Sequence, residues 1–269
     1  SVTYQELLTT YEQGNPSLSE LTTPSYRNLI ANNTDGYLKL LADASVSDTV
    51  FVEDEQAGVN SLDSSDFFLK DGTEPLQLIE KGLFSAALYN NAASLLNKSE
   101  LTAADFDKAF VLFGAPPDFP NDEGENDDFG ANYTSDRDND GTDFYVNVRD
   151  GFLEGRAAVE AGDQEVAQEA AAKVLENWEK GLGATAVHYA GETIANFQAE
   201  SFQDGYHTYA EAYGFLSGLK GTNGTITDAQ VDELIQKLGE PTTVTGPNLN
   251  EVINRLTEIY GFDDPSIFY

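Results

Sequence analysis

Apolar residues recur along this chain at spacings of three and four, and runs of strict alternation are nearly absent. The chain therefore reads as helices joined by polar breaks. A short helix is expected over Val2 to Gln13. Pro24 opens a second, running to Ala44 with a weak point at Asn33 to Gly36. Residues 45 to 73 read as a polar loop with a short strand at Thr49 to Val52. Glu74 to Asn97 reads as one strong helix, with Leu76, Ile79, Leu83 and Ala87 on one face. Thr102, three residues before Asp105, caps a helix that Gly114 and the following prolines end. Residues 115 to 147 read as a long acidic loop, and helices resume near Val148 and run to Ala161. Gly162 and Asp163 break them. An alanine-rich helix to Lys180 follows, then a stretch holding the chain's two histidines. Thr227 with Gln230 caps the next helix, and Asn250 to Tyr260 forms the last. The fold class is all-α: a bundle of about eight to ten helices with an irregular acidic insertion. A weak internal likeness, between residues 107–114 and 210–217, fits a single domain of two pseudo-repeated halves, about 19–114 and 148–260, joined by the acidic segment.

Charge sharpens this picture. The 269 residues include 47 acidic and 14 basic side chains, for a net charge of −33. Such a surface repels nucleic acid and anionic membranes and attracts cations. It is typical of marine or halophilic secreted proteins. Cysteine and methionine are both absent, which excludes disulfides, thiol nucleophiles and thiolate ligands. With no initiating methionine, the chain is expected to follow a removed leader. Export to the periplasm or cell surface is the expected location, with a lipid anchor through that leader as one route. No apolar run approaches the roughly 20 residues that span a bilayer.

The chemistry concentrates between Ala184 and Gly221. His188 is followed four residues later by Glu192, and His207 by Glu211, so each pair shares a helix face. Imidazole with carboxylate suits iron, zinc or manganese. Gly214 and Gly218 continue the second face and allow close helix approach. A hairpin turning at Gln203 to Gly205 would set His207 opposite about Glu200 and leave His188 roughly 15 Å along the partner helix. This spacing argues against one shared four-ligand site. His207 and Glu211 form the working pair, with Glu192 the most reachable extra carboxylate and His188 the remaining candidate. The alternative is that each histidine simply bonds its own glutamate within the helix packing. Tyr206, Tyr209 and Tyr213 beside His207 read as core rather than as a ligand platform.

A second motif lies in the acidic segment. Asp136, Asp138, Asp140, Gly141 and Asp143 place oxygen ligands at alternate positions around a glycine, as in calcium loops. The twelfth position is Asn147 rather than glutamate, so the loop is not a standard EF-hand. Asp122, Glu123, Glu125, Asp127 and Asp128 lie near enough to complete a calcium shell that would order the insertion. No serine-hydrolase elbow, HExxH or phosphate-binding loop is present.

The segments QLIEKGLFSAALYNN, KAFVLFGAPPDF and HTYAEAYGFLSGL resemble DUF4856, a family of exported helical bacterial proteins, over about Ser19 to Tyr260. That family resembles the imelysin-like proteins, whose Gly-x-His-x-x-Glu motif is associated with metal uptake. Gly205 and His207 match the motif, and Glu211 falls one residue late. The resemblance implies an exported metal- or ligand-binding protein linked to iron or zinc acquisition, with a surface or outer-membrane partner. Two other classes stay open: a calcium-dependent surface adhesion module, and a metallopeptidase-like enzyme.

Overall fold

A computed structural model describes residues 1–46, 67–116, 127–138 and 141–269. The expected strand at Thr49 to Val52 and the acidic residues Asp122, Glu123, Glu125 and Asp140 lie outside them. Among the described residues there is no strand beyond one isolated bridge, Gly14 with Ser17. The helices are α1 Tyr4–Glu12, α2 Leu18–Leu21, α3 Pro24–Ala31, α4 Tyr37–Ala44, α5 Pro75–Leu83, α6 Asn90–Leu96, α7 Ala103–Phe113, α8 Phe129–Ser135, α9 Phe144–Ala161, α10 Gln164–Gln198, α11 Phe202–Gly218, α12 Asp228–Leu238 and α13 Gly246–Tyr260. A 3₁₀ turn, Pro265–Phe268, follows.

Local chemistry explains most of these boundaries. Thr3 with Glu6, Ser17 with Glu20, Thr102 with Asp105 and Thr227 with Gln230 all form reciprocal capping boxes. Gly114 and Gly162 close α7 and α9 in the left-handed conformation.

α10 organises the core. It is 35 residues long, or roughly 50 Å at 1.5 Å per residue. From Trp178 to Val187 it is buried on nearly every side, because α9, α11 and α13 surround it. The expected end at Lys180 is therefore absent: Gly181 and Gly183 stay helical, since Thr134 and Tyr260 fill the space their side chains would take. The acidic segment also differs from the expected loop. α8 lies inside it, burying Gly130, Ala131 and Thr134 against α10, and α9 begins at Phe144 rather than near Val148. A heptapeptide is too short to betray itself by periodicity.

The expected helix Glu74 to Asn97 is continuous but not regular. Phe84–Tyr89 is a π-helical segment between α5 and α6. Its wider turn frees carbonyls. Ala86 O accepts the Thr23 N–H at 2.9 Å. This bond docks the α2–α3 junction onto the helix.

Candidate functional site

α10 and α11 form an antiparallel hairpin. The chain turns at Ala199 to Ser201, with Glu200 at φ 59°, a few residues before the expected Gln203 to Gly205. Gly205 is not the breaker. It lies in the first turn of α11, where an added Cβ would sit 2.4 Å from the Phe197 ring. The earlier turn shifts the register, so Thr193 Oγ1 bonds Thr208 Oγ1 at 3.0 Å and Tyr189 stacks on Phe215. Tyr206 and Tyr209 are buried and Tyr213 packs against the core.

Both histidines face the glutamate one turn on. His188 Nε2 lies 3.4 Å from Glu192 Oε2, and His207 Nε2 lies 3.5 Å from Glu211 Oε2. Their further partners are different. His207 Nδ1 donates to Glu74 Oε2 at 2.7 Å. Glu74 precedes α5 and makes no side-chain cap to it. Its carboxylate, only 2% exposed, crosses instead to α11. The extra carboxylate at His207 is thus Glu74; Glu192 stays with His188.

Glu211, 7% exposed, also meets Lys81 of α5, whose Nζ lies 3.3 Å from Oε1. Lys81 Nζ donates to Tyr133 Oη at 2.8 Å and lies over the Phe84 and Tyr133 rings at 5.8 and 5.4 Å. Burial raises the Glu211 pKa, although the Lys81 and His207 charges oppose it. Burial works to lower the Lys81 pKa, but Tyr133, Glu211 and Glu80 outweigh it, and the net shift is upward. The Tyr189 hydroxyl, close to Glu211 and Tyr133, is pushed far up by burial and then by the Glu211 charge. His207 itself is 38% exposed, so the cluster opens to solvent at the imidazole.

His188 belongs to another assembly. Its Nδ1 donates to Phe268 O at 2.5 Å, and Arg137 Nη1 donates to the same carbonyl at 3.2 Å. The pair clasps the Pro265–Phe268 turn onto α10. Burial lowers the His188 pKa, and Arg137 lowers it further against the opposing carboxylates of Glu192 and Asp136. The folded pKa thus lies below the unfolded value of about 6.5. As pH falls, the unfolded chain takes its proton first, so this contribution to stability is complete above about pH 6.5 and is lost on acidification. In His188→Gln, the loss of denaturation free energy between pH 7 and 5 should be smaller than in wild type. Equal losses would remove His188 as the cause.

Among the described residues, Asp136, Asp138 and Asp143 of the expected calcium set do not come together as one group. Asp138 accepts the Tyr145 and Val146 amides at 3.0 and 3.3 Å, capping α9 from outside the helix. Asn147 Nδ2 donates to Asn177 Oδ1 at 3.2 Å. Asp136 ends α8 beside Arg137 and His188. Asp143 and Asn147 line a cavity of about 530 Å³ together with Asp263 and Asp264. Among the described residues, no three His, Asp or Glu side chains converge as a ready-made metal cage. No helix of the described residues is long and apolar enough to cross a membrane.

Sequence reasoning missed Glu74, Lys81, Tyr133 and Tyr189. One signal was present: a glutamate directly before Pro75, at an N-cap position where shorter side chains are preferred.

No curated protein and no solved structure matches the chain. The family model of a domain of unknown function, DUF4856, matches residues 85–262, from the π-helical segment to just past α13. The chain therefore belongs to the DUF4856 family.

Proposed function

We propose that the protein is an exported, imelysin-like metal-binding protein whose ion sits between His207 Nε2 and Glu211 Oε2. One observation carries this reading. These two atoms lie 3.5 Å apart, close to the separation of neighbouring ligands about 2.1 Å from one ion in tetrahedral geometry. The other imidazole nitrogen is held by the Glu74 carboxylate, the outer-shell arrangement that fixes a metal-bound histidine. In the ion-free chain Oε1 of Glu211 faces Lys81, and Oε2 is the oxygen turned toward His207. Two protein ligands leave positions open to water or to a small ligand. Such a site suits capture and transfer of iron or zinc, with a surface or outer-membrane partner as recipient, better than permanent structural binding.

Calcium in the acidic segment is a secondary part of the reading, supported by the shared cavity of Asp143, Asn147, Asp263 and Asp264. Its role would be to order the segment. A protein holding calcium alone fits a surface adhesion module. A metallopeptidase would in addition need a water on the His207 ion and a base beside it.

The test is equilibrium dialysis of untagged protein against zinc, iron(II) and calcium, followed by elemental analysis. One zinc or iron per chain is expected in wild type and none in folded His207→Ala. Glu74→Gln should weaken binding about 10–100-fold. A folded wild-type protein that retains neither transition metal would end the reading, and retained calcium unaffected by His207→Ala would favour the adhesion module.

A further inference from the structure

We propose that Lys81 is a tethered competitor for the metal: its ammonium neutralises Glu211 in the ion-free protein and swings to Glu80 when an ion binds. This inference rests on the metal reading of His207 and Glu211.

The geometry places one cation between two carboxylates. Lys81 Nζ lies 3.3 Å from Glu211 Oε1 on the buried side and 3.5 Å from Glu80 Oε2 on the outer side. The Lys81 and Glu211 side chains are 8% and 7% exposed, whereas Glu80 is 49% exposed. A buried carboxylate demands a counter-charge, and Lys81 supplies it to Glu211. A divalent ion on Oε2 of the same carboxylate would serve the same need. Two cations sharing one buried carboxylate repel strongly, because the surroundings screen little. Lysine can yield where arginine could not: its charge is a point on a four-carbon stem, with no fixed fork to hold it. The bond to Tyr133 Oη and the two aromatic faces hold the inward position in place. Glu80 is the nearest carboxylate at which the displaced ammonium can rest. Ion-free and ion-bound protein would then differ by one side-chain swing, and the site would remain charge-compensated in both states.

The test is zinc affinity, measured by competition with a chelating dye at fixed pH, for wild type, Lys81→Met and Glu80→Gln. Lys81→Met keeps the length of the side chain and removes its charge. It should bind zinc at least tenfold more tightly than wild type and gain more in melting temperature on zinc addition. Glu80→Gln, which removes the outer resting place, should bind more weakly. Lys81→Gln, able to retain a donor toward Tyr133, carries the comparison if the methionine variant does not fold. Equal or weaker binding in the Lys81 variants, with wild type binding zinc, overturns the competitor role and leaves the metal reading standing. Binding by the Lys81 variants but not by wild type supports the competitor role and overturns metal binding by the native chain. No binding by any folded variant overturns both.

Discussion

Glu179→Ala should lose about 3–5 kcal/mol of stability, against the 5–15 kcal/mol that typically separates a folded domain from its unfolded chain. Glu179 lies in the middle of α10 and is 1% exposed. Its carboxylate accepts four hydrogen bonds: Tyr89 Oη at 2.9 Å, Thr225 N at 2.8 Å, Ile226 N at 3.0 Å and Tyr260 Oη at 3.2 Å. The donors come from the π-helical segment, the chain just before α12, and the end of α13. One side chain thus ties three separate stretches to the central helix. Alanine would leave all four donors without their acceptor, and burial makes each loss costly. The two tyrosine hydroxyls are held far above their ordinary pKa, chiefly by burial and then by the Glu179 charge, so they remain protonated donors.

Glu179→Gln is the more discriminating variant. Oε2 takes the Thr225 amide and Oε1 takes the Ile226 amide. A glutamine has one oxygen, so either orientation of its amide sets an NH₂ against a backbone N–H. A hydroxyl can turn to accept, but a backbone amide cannot. A cost of about 1–3 kcal/mol is expected in chemical denaturation despite the unchanged shape. Stability of Glu179→Gln within about 0.5 kcal/mol of wild type would show that the two amides are satisfied another way.

The second large effect is expected at the crossing of α5 and α11. A Cβ added at Gly218 would sit 2.3 Å from Gly82 O and 2.7 Å from Gly82 Cα. Gly82 is itself pressed from its other side, where an added Cβ would fall 1.9 Å from Tyr26 Oη. These obstacles are backbone and a fully buried tyrosine, so the helices must separate to admit a methyl group. Gly218→Ala should cost about 3 kcal/mol, at the upper end of overpacking penalties. Alanine ordinarily favours a helix over glycine, so the sign of this result is set by packing alone. The same crossing brings Glu74 and Lys81 on one side to His207 and Glu211 on the other, and loosening it should weaken zinc binding as well. Gly246→Ala is the control: nothing lies within 4 Å of an added Cβ, and a change within about 0.5 kcal/mol is expected. If Gly218→Ala is as stable as the control, the close approach is not a determinant of the fold.

What could be read from the sequence was local. The boxes at Thr102 and Thr227 and the stops at Gly114 and Gly162 involve residues within a turn of one another, so spacing alone reveals them. The same holds for the two His/Glu pairs, each four residues apart on one helix face. The small residues at Gly214 and Gly218 announced a close helix contact, but not its partner. That partner is α5, not the other histidine-bearing helix.

The rest required the folded chain. Glu74 lies 133 residues from His207, and Glu179 lies 90 residues from Tyr89 and 81 from Tyr260. Each of these carboxylates sits among many others in a strongly acidic sequence, with no local mark to separate a buried acceptor from a solvated one. The turn of the α10–α11 hairpin came earlier than its glycine suggested, because Gly205 serves a contact with Phe197 rather than a bend. The sequence by itself determined that this protein is helical, where many of its helices begin and end, and that each histidine faces a glutamate. Only the tertiary structure decided which charges are buried together, because helical periodicity is set by neighbours along the chain, while the cost of burying a charge is set by whichever segments close over it.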